Sequence, residues 1–335
     1  MSHMTINEIA KIAGVSKATV SRVLNNKPDV LPETRERIKA IILKYDFEPN
    51  AFATAIANKS CKTFGVIIIN DANFVLANPY YNEVIRGLSI EAKNHGYHLI
   101  LTYAEGDDYL SIVKQKRVDG LFLISPIRNH KNVIDQIKEL GTPFVATSRM
   151  PGVNDINFIY NDDYNGACLA VEHLIQLGHR RIGMINNSSV MASSEERHDG
   201  YRDTLKKHGM PYEEKLVIVG DTSISSGYDA IQKLLREKDI TGVFVAGDLM
   251  AAGAISAINE AGLKVPEDIS IVGYDDIPLA GYLHPPLTTV RQNPYEKGRH
   301  AVKMMLDVLN KNNKEYVMMK MQVELIVRKS AKALK

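Results

Sequence analysis

The chain has 335 residues, of which 45% are hydrophobic and 24% are charged, and its formal net charge is +2 at pH 7. This length accommodates two or three packed domains of ordinary globular composition. No uncharged apolar run approaches the roughly 20 residues that a membrane span requires, and no signal peptide is recognisable. We therefore expect a cytoplasmic protein with no membrane partner. Cys61 and Cys168 lack the paired spacing of a zinc site or a disulfide framework, so we expect neither a metal nor another cofactor.

The charge is unevenly distributed along the chain. Residues 1–60 contain nine Lys and Arg against six Asp and Glu, a net charge of +3, which leaves −1 for the remainder. A small basic end on a near-neutral body suggests contact with a polyanion such as nucleic acid.

Two short helices are predicted at the start of the chain. Thr5 and Glu8 fit a capping box, and apolar residues then recur at helical spacing up to a stop at Gly14. Ser16 can cap a second helix, and a third helix is predicted over residues 32–45 because proline is acceptable at a first helical position. Two short helices joined by a turn that contains glycine form a helix-turn-helix.

The second helix of a helix-turn-helix enters the major groove of DNA. Lys17, Ala18 and Arg22 lie on its outward face, and Arg22 carries the two donors that suit guanine. Short polar residues suited to phosphate contacts complete the candidate DNA-binding set of this region: Thr5, Ser16, Thr19, Ser21 and Asn25. The spacing alone equally fits a solvated face on a small helical bundle.

The segment INEIAKIAGVSKATVSRVLN, residues 6–25, closely resembles the headpiece of the lactose-repressor (LacI) family. The resemblance continues through Thr34-Arg35 and Pro49-Asn50 and, more loosely, to residue 330. It implies that the three outward residues of the second helix read bases. Within the family, the chain looks nearest to maltose-type regulators of Gram-positive bacteria.

A hinge helix follows the headpiece in this family. Pro49 breaks the third helix, and Asn50 can cap a helix of seven or eight residues, which is too short to be stable alone. In the family this helix pairs with its dimer mate and drives a leucine into the minor groove. Ile56 stands at that position and can serve as the apolar wedge. Two departures are Thr54, where arginine is common, and Leu31, which replaces the usual capping serine of the third helix.

Strand-like and helix-like segments alternate from residue 63 onward, in two series. The first series has strands at 64–69, 98–102, 120–124 and 143–146, with helices near 79–95, 107–116 and 129–140. The second has strands at 181–185, 216–219, 242–246 and 269–274, with helices near 162–177, 193–208, 225–236 and 248–261. Unalternated Val and Ile runs between helices indicate parallel strands covered on both faces. We therefore predict two doubly wound lobes, which bind ligands at the carboxyl ends of their strands.

The fold class predicted is α/β, with an all-α helix-turn-helix headpiece and hinge helix before a two-lobed core of periplasmic-binding-protein type. The resemblance implies that the chain crosses between the lobes near residues 161, 290 and 322. The predicted domains are a headpiece at 4–48, a hinge helix and linker at 49–61, an N-terminal lobe at 62–161 with 292–321, and a C-terminal lobe at 162–291 with 322–330.

Two polar residues are the main candidates for the effector site. The start of the helix at Ser193 resembles the family's effector-binding helix, from which Arg197 reaches into the cleft, and Asp275 matches the family's cleft aspartate. A guanidinium fork and a carboxylate suit the vicinal hydroxyls of a sugar, so we expect these two to form a polar clamp. By pattern alone, Arg197 could be a surface helix residue and Asp275 a turn residue.

The other lobe contributes Tyr80, which matches a family position whose ring stacks on the effector and which by pattern could equally be a core residue. The candidate effector-binding set is completed by Asp71, Ser193, Thr222 and Asp248. Thr222 stands where phenylalanine is common, and Gly247 replaces the usual Asn or Thr, so the identity of the sugar stays open.

Three classes of function are compared: a ligand-switched transcriptional repressor, a sugar-binding module without DNA activity, and an enzyme. The chain has no dinucleotide fingerprint, phosphate-binding loop or His-Glu-x-x-His motif. Asp275 and Asp276 are adjacent at a strand end and should point apart, so they are poor candidates for paired catalytic carboxylates. We predict a regulator, not an enzyme. Its expected partners are a palindromic operator duplex, a small sugar effector and a second copy of the chain. We expect a dimer because a leucine-heptad tail of the kind that assembles tetramers is not seen. Whether the effector releases DNA or acts as a corepressor is left open.

Overall fold

The structure is a computed structural model that describes residues 4–25, 27–47, 60–68, 72–103, 110–124, 131–150, 152–188, 191–310 and 315–334. The chain divides into two compact units, residues 1–62 and 63–335. Three predicted site residues lie outside the described ranges: Asn50 and Ile56 of the predicted hinge helix, and Asp71.

The described part of the first unit contains three helices, α1 (Ile6–Ala13), α2 (Lys17–Leu24) and α3 (Pro32–Lys44). The capping box is confirmed: Thr5 Oγ1 accepts from the Glu8 backbone N–H at 3.4 Å, and Glu8 Oε2 accepts from the Thr5 N–H at 2.7 Å. Gly14 ends α1 at a φ of +65°, a left-handed conformation that glycine adopts without steric cost. Ser16 caps α2 by accepting from the Thr19 N–H at 3.2 Å.

The apolar faces of the three helices meet in one small core. Ile9 of α1, Val20 and Val23 of α2 and Ile38 of α3 are buried there. These residues recur at helical spacing, so each helix presents one apolar stripe inward and leaves its polar face exposed.

The second unit contains two six-stranded sheets. The first sheet has the order β11-β5-β4-β3-β1-β2 and is parallel throughout. Its strands are β1 (Thr63–Ile68), β2 (His98–Tyr103), β3 (Gly120–Ile124), β4 (Phe144–Ala146), β5 (Asn157–Asn161) and β11 (Met318–Met321). Its helices are α4 (Ala72–Ala77), α5 (Pro79–Asn94), α6 (Ser111–Lys114), α7 (Lys131–Glu139) and α12 (Pro294–Asn310). We call this sheet with its helices the first lobe.

The second sheet has the order β12-β10-β9-β8-β6-β7, with only the β10–β12 pair antiparallel among its strands. Its strands are β6 (Ile182–Asn186), β7 (Val217–Val219), β8 (Gly242–Val245), β9 (Ser270–Asp275), β10 (Thr288–Arg291) and β12 (Glu324–Ile326). Its helices are α8 (Asp163–Gln176), α9 (Ala192–Lys207), α10 (Ile224–Leu234) and α11 (Asp248–Glu260). We call this assembly the second lobe.

Both sheets are covered on both faces, as the unalternated apolar runs predict. Val66 and Ile68 of β1 pack toward α5 and α12, whereas Ile67 packs toward α6 and α7. In the second lobe, Met184 of β6 packs toward α8 and α9, and Ile185 packs toward α10 and α11. Consecutive strand residues point to opposite faces, so a strand buried on both sides must be apolar at every position.

The eight predicted strands of the core are confirmed within one or two residues. Four further strands were not predicted: β5 and β10, where the chain passes from one lobe toward the other, and the short β11 and β12. The second helix of the first lobe is a single turn at Ser111–Lys114 in the part of 107–116 that the structure describes.

Candidate functional site

The outward face of α2 is the candidate DNA-reading surface. Lys17, Ala18 and Arg22 are exposed there, as expected. Arg22 Nε lies 3.3 Å from Asp29 Oδ2, and both side chains are about half exposed. An exposed ion pair of this kind contributes about 0–1 kcal/mol, so Arg22 can exchange this partner for a base at little cost.

The short polar residues of this region already hold the helices. The Thr5 and Ser16 side chains cap α1 and α2, and Thr19 Oγ1 lies 2.9 Å from Ser16 Oγ. Asn25 Nδ2 donates to the Ser21 carbonyl at 2.8 Å at the end of α2. Any phosphate contact by these five residues would add to the capping and side-chain hydrogen bonds that they already make.

The second unit contains a cleft at the carboxyl ends of its parallel strands. Residues from both lobes line it. It brings together five of the predicted effector residues: Tyr80, Ser193, Arg197, Thr222 and Asp275. This is the position at which open parallel sheets bind ligands.

Asp248 is placed elsewhere. It begins α11, is 1% exposed and does not line the cleft. Its Oδ1 accepts from Thr289 Oγ1 at 2.6 Å and its Oδ2 accepts from the Ile277 N–H at 2.9 Å. Burial raises the pKa of this carboxyl well above its usual range. Since both oxygens accept hydrogen bonds inside the second lobe and the side chain does not line the cleft, Asp248 fixes the start of α11 and is not presented to an effector.

Arg197 is buried and held on three sides. Its Nε and Nη2 each lie 2.8 Å from Asp163 Oδ1, its Nη1 donates to the Ala246 carbonyl at 2.8 Å, and its guanidinium stacks 3.8 Å from the centre of the Tyr274 ring. Asp275, the other residue predicted to hold the sugar, is not among these contacts. Arg197 therefore has Asp163 as its carboxylate, a residue that the sequence analysis did not identify.

The Arg197–Asp163 pair depends on close contact between α8 and α9. A Cβ atom on Gly200 of α9 would lie 2.4 Å from the Tyr164 carbonyl oxygen of α8, which no side chain could tolerate without separating the helices. Glycine at this position brings the two backbones together and so sets the distance at which the guanidinium meets the carboxylate.

Asp275 ends β9 with a φ of +112°, a conformation that costs a non-glycine residue on the order of 1–3 kcal/mol and is concentrated at ligand sites. Its Oδ1 accepts a hydrogen bond from Gln292 Nε2, and burial raises the pKa of the carboxyl to about 7. Asp276 turns away to Arg291 and Arg328, at 2.6 and 2.7 Å. The two adjacent carboxylates point apart, as predicted.

Tyr80 lines the first-lobe wall together with Lys297, which the sequence analysis missed. The Tyr80 hydroxyl accepts from Lys297 Nζ at 2.8 Å and from Asn161 Nδ2 at 3.0 Å. Burial raises the pKa of the Tyr80 phenol and lowers the pKa of the Lys297 ammonium to about 8. A Cβ atom on Gly298 of α12 would lie 2.2 Å from the Val84 carbonyl oxygen of α5, so close helix packing brings these two side chains together.

Several other cleft residues were missed because of the strands that the sequence analysis did not predict. Asn161 ends β5, Asp163 begins the helix after it, and Gln292 follows β10. Lys297 carried a signal of its own: it occupies a buried position of α12, one turn before Ala301 on the same apolar face. A lysine at a core position of an amphipathic helix is rarely buried without a role.

Within the described parts of the chain, no group of three or more His, Cys, Asp or Glu side chains could hold a metal ion. None of the helices in these parts is long and apolar enough to cross a membrane.

Comparison with known proteins matches both units. Residues 5–50 match the family of bacterial regulatory proteins named lacI, and residues 171–331 match the periplasmic binding protein-like domain. The chain is 32% identical over 333 residues to the HTH-type transcriptional regulator CelR of Thermobifida fusca, a match that covers 97% of this chain and 98% of that protein.

Solved structures give the same result. The lac repressor dimer bound to operator and the anti-inducer ONPF is similar with a TM-score of 0.88 at 28% identity, covering 99% of this chain and 100% of that one. A complex of transcriptional regulator CelR with cellobiose is similar with a TM-score of 0.76 at 31% identity, covering 98% and 100%. These relatives are transcriptional regulators and not enzymes. The headpiece, the two-lobed core and the full-length matches together place the chain in the lacI family of bacterial regulatory proteins.

Proposed function

We propose that the chain is a repressor of carbohydrate-utilisation genes that binds a palindromic operator as a homodimer and responds to an uncharged sugar in the cleft between its lobes. The domain division we propose is a headpiece at 4–48, a hinge at 49–61, a first lobe at 62–161 with 292–321 and a second lobe at 162–291 with 322–330. Because a regulator of this kind acts on chromosomal DNA, we also propose a cytoplasmic location.

The observation that carries the sugar proposal is the charge balance of the cleft. Its lining includes three cations, Arg149, Arg197 and Lys297, and three carboxylates, Asp163, Glu196 and Asp275. A site for a phosphorylated ligand would show an excess of cations. A balanced set of donors and acceptors suits a neutral molecule with many hydroxyl groups.

The aromatic lining supports the same ligand class. Tyr80, Tyr81 and Tyr160 line the cleft beside the charged groups. A tyrosine ring offers an apolar face together with a polar hydroxyl. Sugars have a similar combination, with apolar C–H faces and hydroxyl edges, and the cellobiose complex of a relative provides a precedent for a sugar in this fold.

Asn187 adds an unsatisfied acceptor. Its Nδ2 donates to the Ala246 carbonyl at 3.1 Å, while its Oδ1 is buried with no hydrogen-bond partner among the described residues. A buried polar atom without a partner costs about 1–3 kcal/mol. A ligand hydroxyl that donates to Asn187 would remove this cost, because the residue lines the cleft.

For DNA, we propose that Lys17, Ala18 and Arg22 read bases in the major groove, with Thr5, Ser16, Thr19, Ser21 and Asn25 near the phosphates. Asn50 would cap the hinge helix and Ile56 would enter the minor groove. The exposure of the α2 face and the similarity to an operator-bound repressor dimer support this assignment.

The test begins with selection of a preferred duplex from a random pool by the full-length chain. Binding to that duplex is then titrated against a panel of neutral mono- and disaccharides. Release of DNA by one sugar would identify an inducer, whereas tighter binding would identify a corepressor and reverse the sign of the switch. A chain that selects no duplex, or that responds to no neutral sugar but responds to a charged metabolite, contradicts the proposal.

A further inference from the structure

Lys297 differs from the other cations of the cleft in its pairing. It is 2% exposed, and its only hydrogen bond to the described residues is the one to the Tyr80 hydroxyl. Arg149 lies 2.7 Å from Glu196, and Arg197 lies 2.8 Å from Asp163. No carboxylate in the described parts of the chain lies within ion-pair distance of Lys297. An ammonium has three N–H donors, so two of them are unused.

Asp275 is the corresponding unpaired carboxylate. Its Oδ1 accepts from the uncharged side chain of Gln292, and no described residue donates to its Oδ2. Gly247 lies beside that oxygen: a Cβ atom on Gly247 would be in van der Waals contact with Asp275 Oδ2 at 3.9 Å, and glycine leaves that position without a side chain. The cleft therefore contains one unpaired positive charge on the first lobe and one unpaired negative charge on the second.

One hydrogen-bonded chain connects the two charges. Lys297 donates to Tyr80, Asn161 donates to both Tyr80 and Gln292, and Gln292 donates to Asp275. The Tyr80 oxygen already accepts twice, which uses both of its lone pairs and leaves its own O–H as a donor. The first-lobe wall therefore offers donors from Lys297 and Tyr80.

The second-lobe wall offers hydrogen-bond acceptors. Asp275 Oδ2 and Asn187 Oδ1 are both acceptors without a donor among the described residues, and both residues line the cleft. A ligand that fits between the walls must accept hydrogen bonds from the first lobe and donate hydrogen bonds to the second. Hydroxyl groups do both.

We infer that Lys297 determines the specificity of the cleft by selecting an uncharged polyol, whose hydroxyls accept from Lys297 and Tyr80 and donate to Asp275 and Asn187. The inference rests on the proposed sugar-binding function and deepens it. A ligand carboxylate or phosphate would pair with Lys297 but would bring a second negative charge into the cleft with Asp275. An amine would satisfy Asp275 and repel Lys297, so a ligand without net charge suits both walls better than an anion or a cation.

The test compares Lys297→Met with Lys303→Met in the full-length protein, by calorimetry with the neutral sugar that alters operator binding. Methionine keeps the length of the side chain and removes its charge and donors. Lys303 lies on the same helix outside the cleft and is about half exposed, and among the described residues its one ion pair is with Glu91, at 3.9 Å. We expect Lys297→Met to weaken sugar binding about tenfold to a hundredfold, as loss of a charged hydrogen bond predicts, and Lys303→Met to change it less than twofold.

The pH profile gives a readout that a purely structural role would not produce. The groups that act on Lys297 from neighbouring elements are Tyr80 of α5, Asp163 of α8, Glu196 and Arg197 of α9, and Asp275 of β9. Sugar affinity should rise as Asp275 ionises near its pKa of about 7 and fall as Lys297 deprotonates above its pKa of about 8. Lys297→Met should lose the alkaline fall and move the acid rise to higher pH, because Lys297 lowers the pKa of Asp275. Asp275→Asn should lose the acid rise and move the alkaline fall to lower pH, because Asp275 raises the pKa of Lys297.

A second variant, Lys297→Gln, keeps N–H donors without the charge and covers the case in which the methionine variant does not fold. It should retain more affinity than Lys297→Met and also lose the alkaline fall. Unchanged affinity and an unchanged alkaline fall in these variants would overturn the inference while leaving sugar control intact. A sugar acid or sugar phosphate that binds through Lys297 more tightly than every neutral sugar would overturn the claim that the cleft selects an uncharged ligand. If the wild type binds no neutral sugar, the proposed function fails and the inference fails with it.

Discussion

Arg197 and Asp163 form a buried ion pair across the packed helices α9 and α8, with Arg197 Nη2 2.8 Å from Asp163 Oδ1 and both side chains 7% exposed. Both residues line the cleft, so the same ion pair stabilises the second lobe and shapes the ligand site. Removing one partner leaves the other charge buried without compensation.

Asp163→Asn should therefore lower the free energy of unfolding by about 3–5 kcal/mol, the range for breaking a buried pair. The matched control is Glu324→Gln, whose pair with Arg291 at 3.0 Å is exposed and should contribute about 0–1 kcal/mol. Urea unfolding of the two variants measures both values. Equal stabilities would show that the buried pair is energetically neutral.

Lys297 should make stability depend on pH in the alkaline range. Its pKa is lowered by burial from an ordinary 10.5 to about 8, so the folded state favours the neutral amine. Below pH 8 the lysine is charged in both the folded and the unfolded state. Burying the charged ammonium then lowers the free energy of unfolding by its full amount, on the order of 3 kcal/mol. From pH 8 to 10.5 the folded state releases this proton before the unfolded state does, so the penalty is relieved and stability rises. Unfolding of the wild type and Lys297→Met across this range measures the effect. The variant should be the more stable of the two at pH 7, and the difference should shrink as the pH rises.

Gly298→Ala should disturb the first-lobe wall through the backbone. The added methyl would lie 2.2 Å from the Val84 carbonyl oxygen, so α5 and α12 must separate. The movement displaces Tyr80 and Lys297 relative to each other, and we expect weaker sugar binding and a loss of stability of about 1–3 kcal/mol. Gly281→Ala is the control, because its Cβ would meet nothing within 4 Å and its φ is not positive. If alanine at 298 instead stabilised the protein through helix propensity, the contact would not be as tight as the structure has it.

Arg22→Ala should relax the choice of base at one position of each half-site by about 1–3 kcal/mol, as expected for loss of a bidentate contact to guanine. Arg37→Ala removes an equally exposed arginine from α3 and should leave the ranking of duplexes unchanged. Binding to a set of single-base operator variants provides the measurement. The assigned reading face is wrong if both variants preserve the wild-type ranking.

Local sequence signals were sufficient for the helix caps of the first unit and for eight of the twelve described strands of the core. The capping box at Thr5, the stop at Gly14 and the cap at Ser16 involve residues within a few positions of one another, and their outcome follows from backbone donors that lie equally close. The eight core strands were found because a strand buried on both faces must be apolar throughout, a pattern that needs no knowledge of its neighbours. The two-lobed α/β class follows from the alternation of these elements.

The partners of the cleft residues depend on the way distant segments cross. Arg197 and Asp275 both reach the cleft as predicted, but Arg197 pairs with Asp163 and Asp275 with Gln292, because β5 and β10 carry those residues to the same edge of the sheets. Asp248 looked like a cleft residue by position, yet its two oxygens are engaged by Thr289 and Ile277, which lie far along the chain. Local patterns specify which residues are helical or buried. Which buried charges face one another is set by packing between segments remote in sequence, and no local pattern encodes that contact.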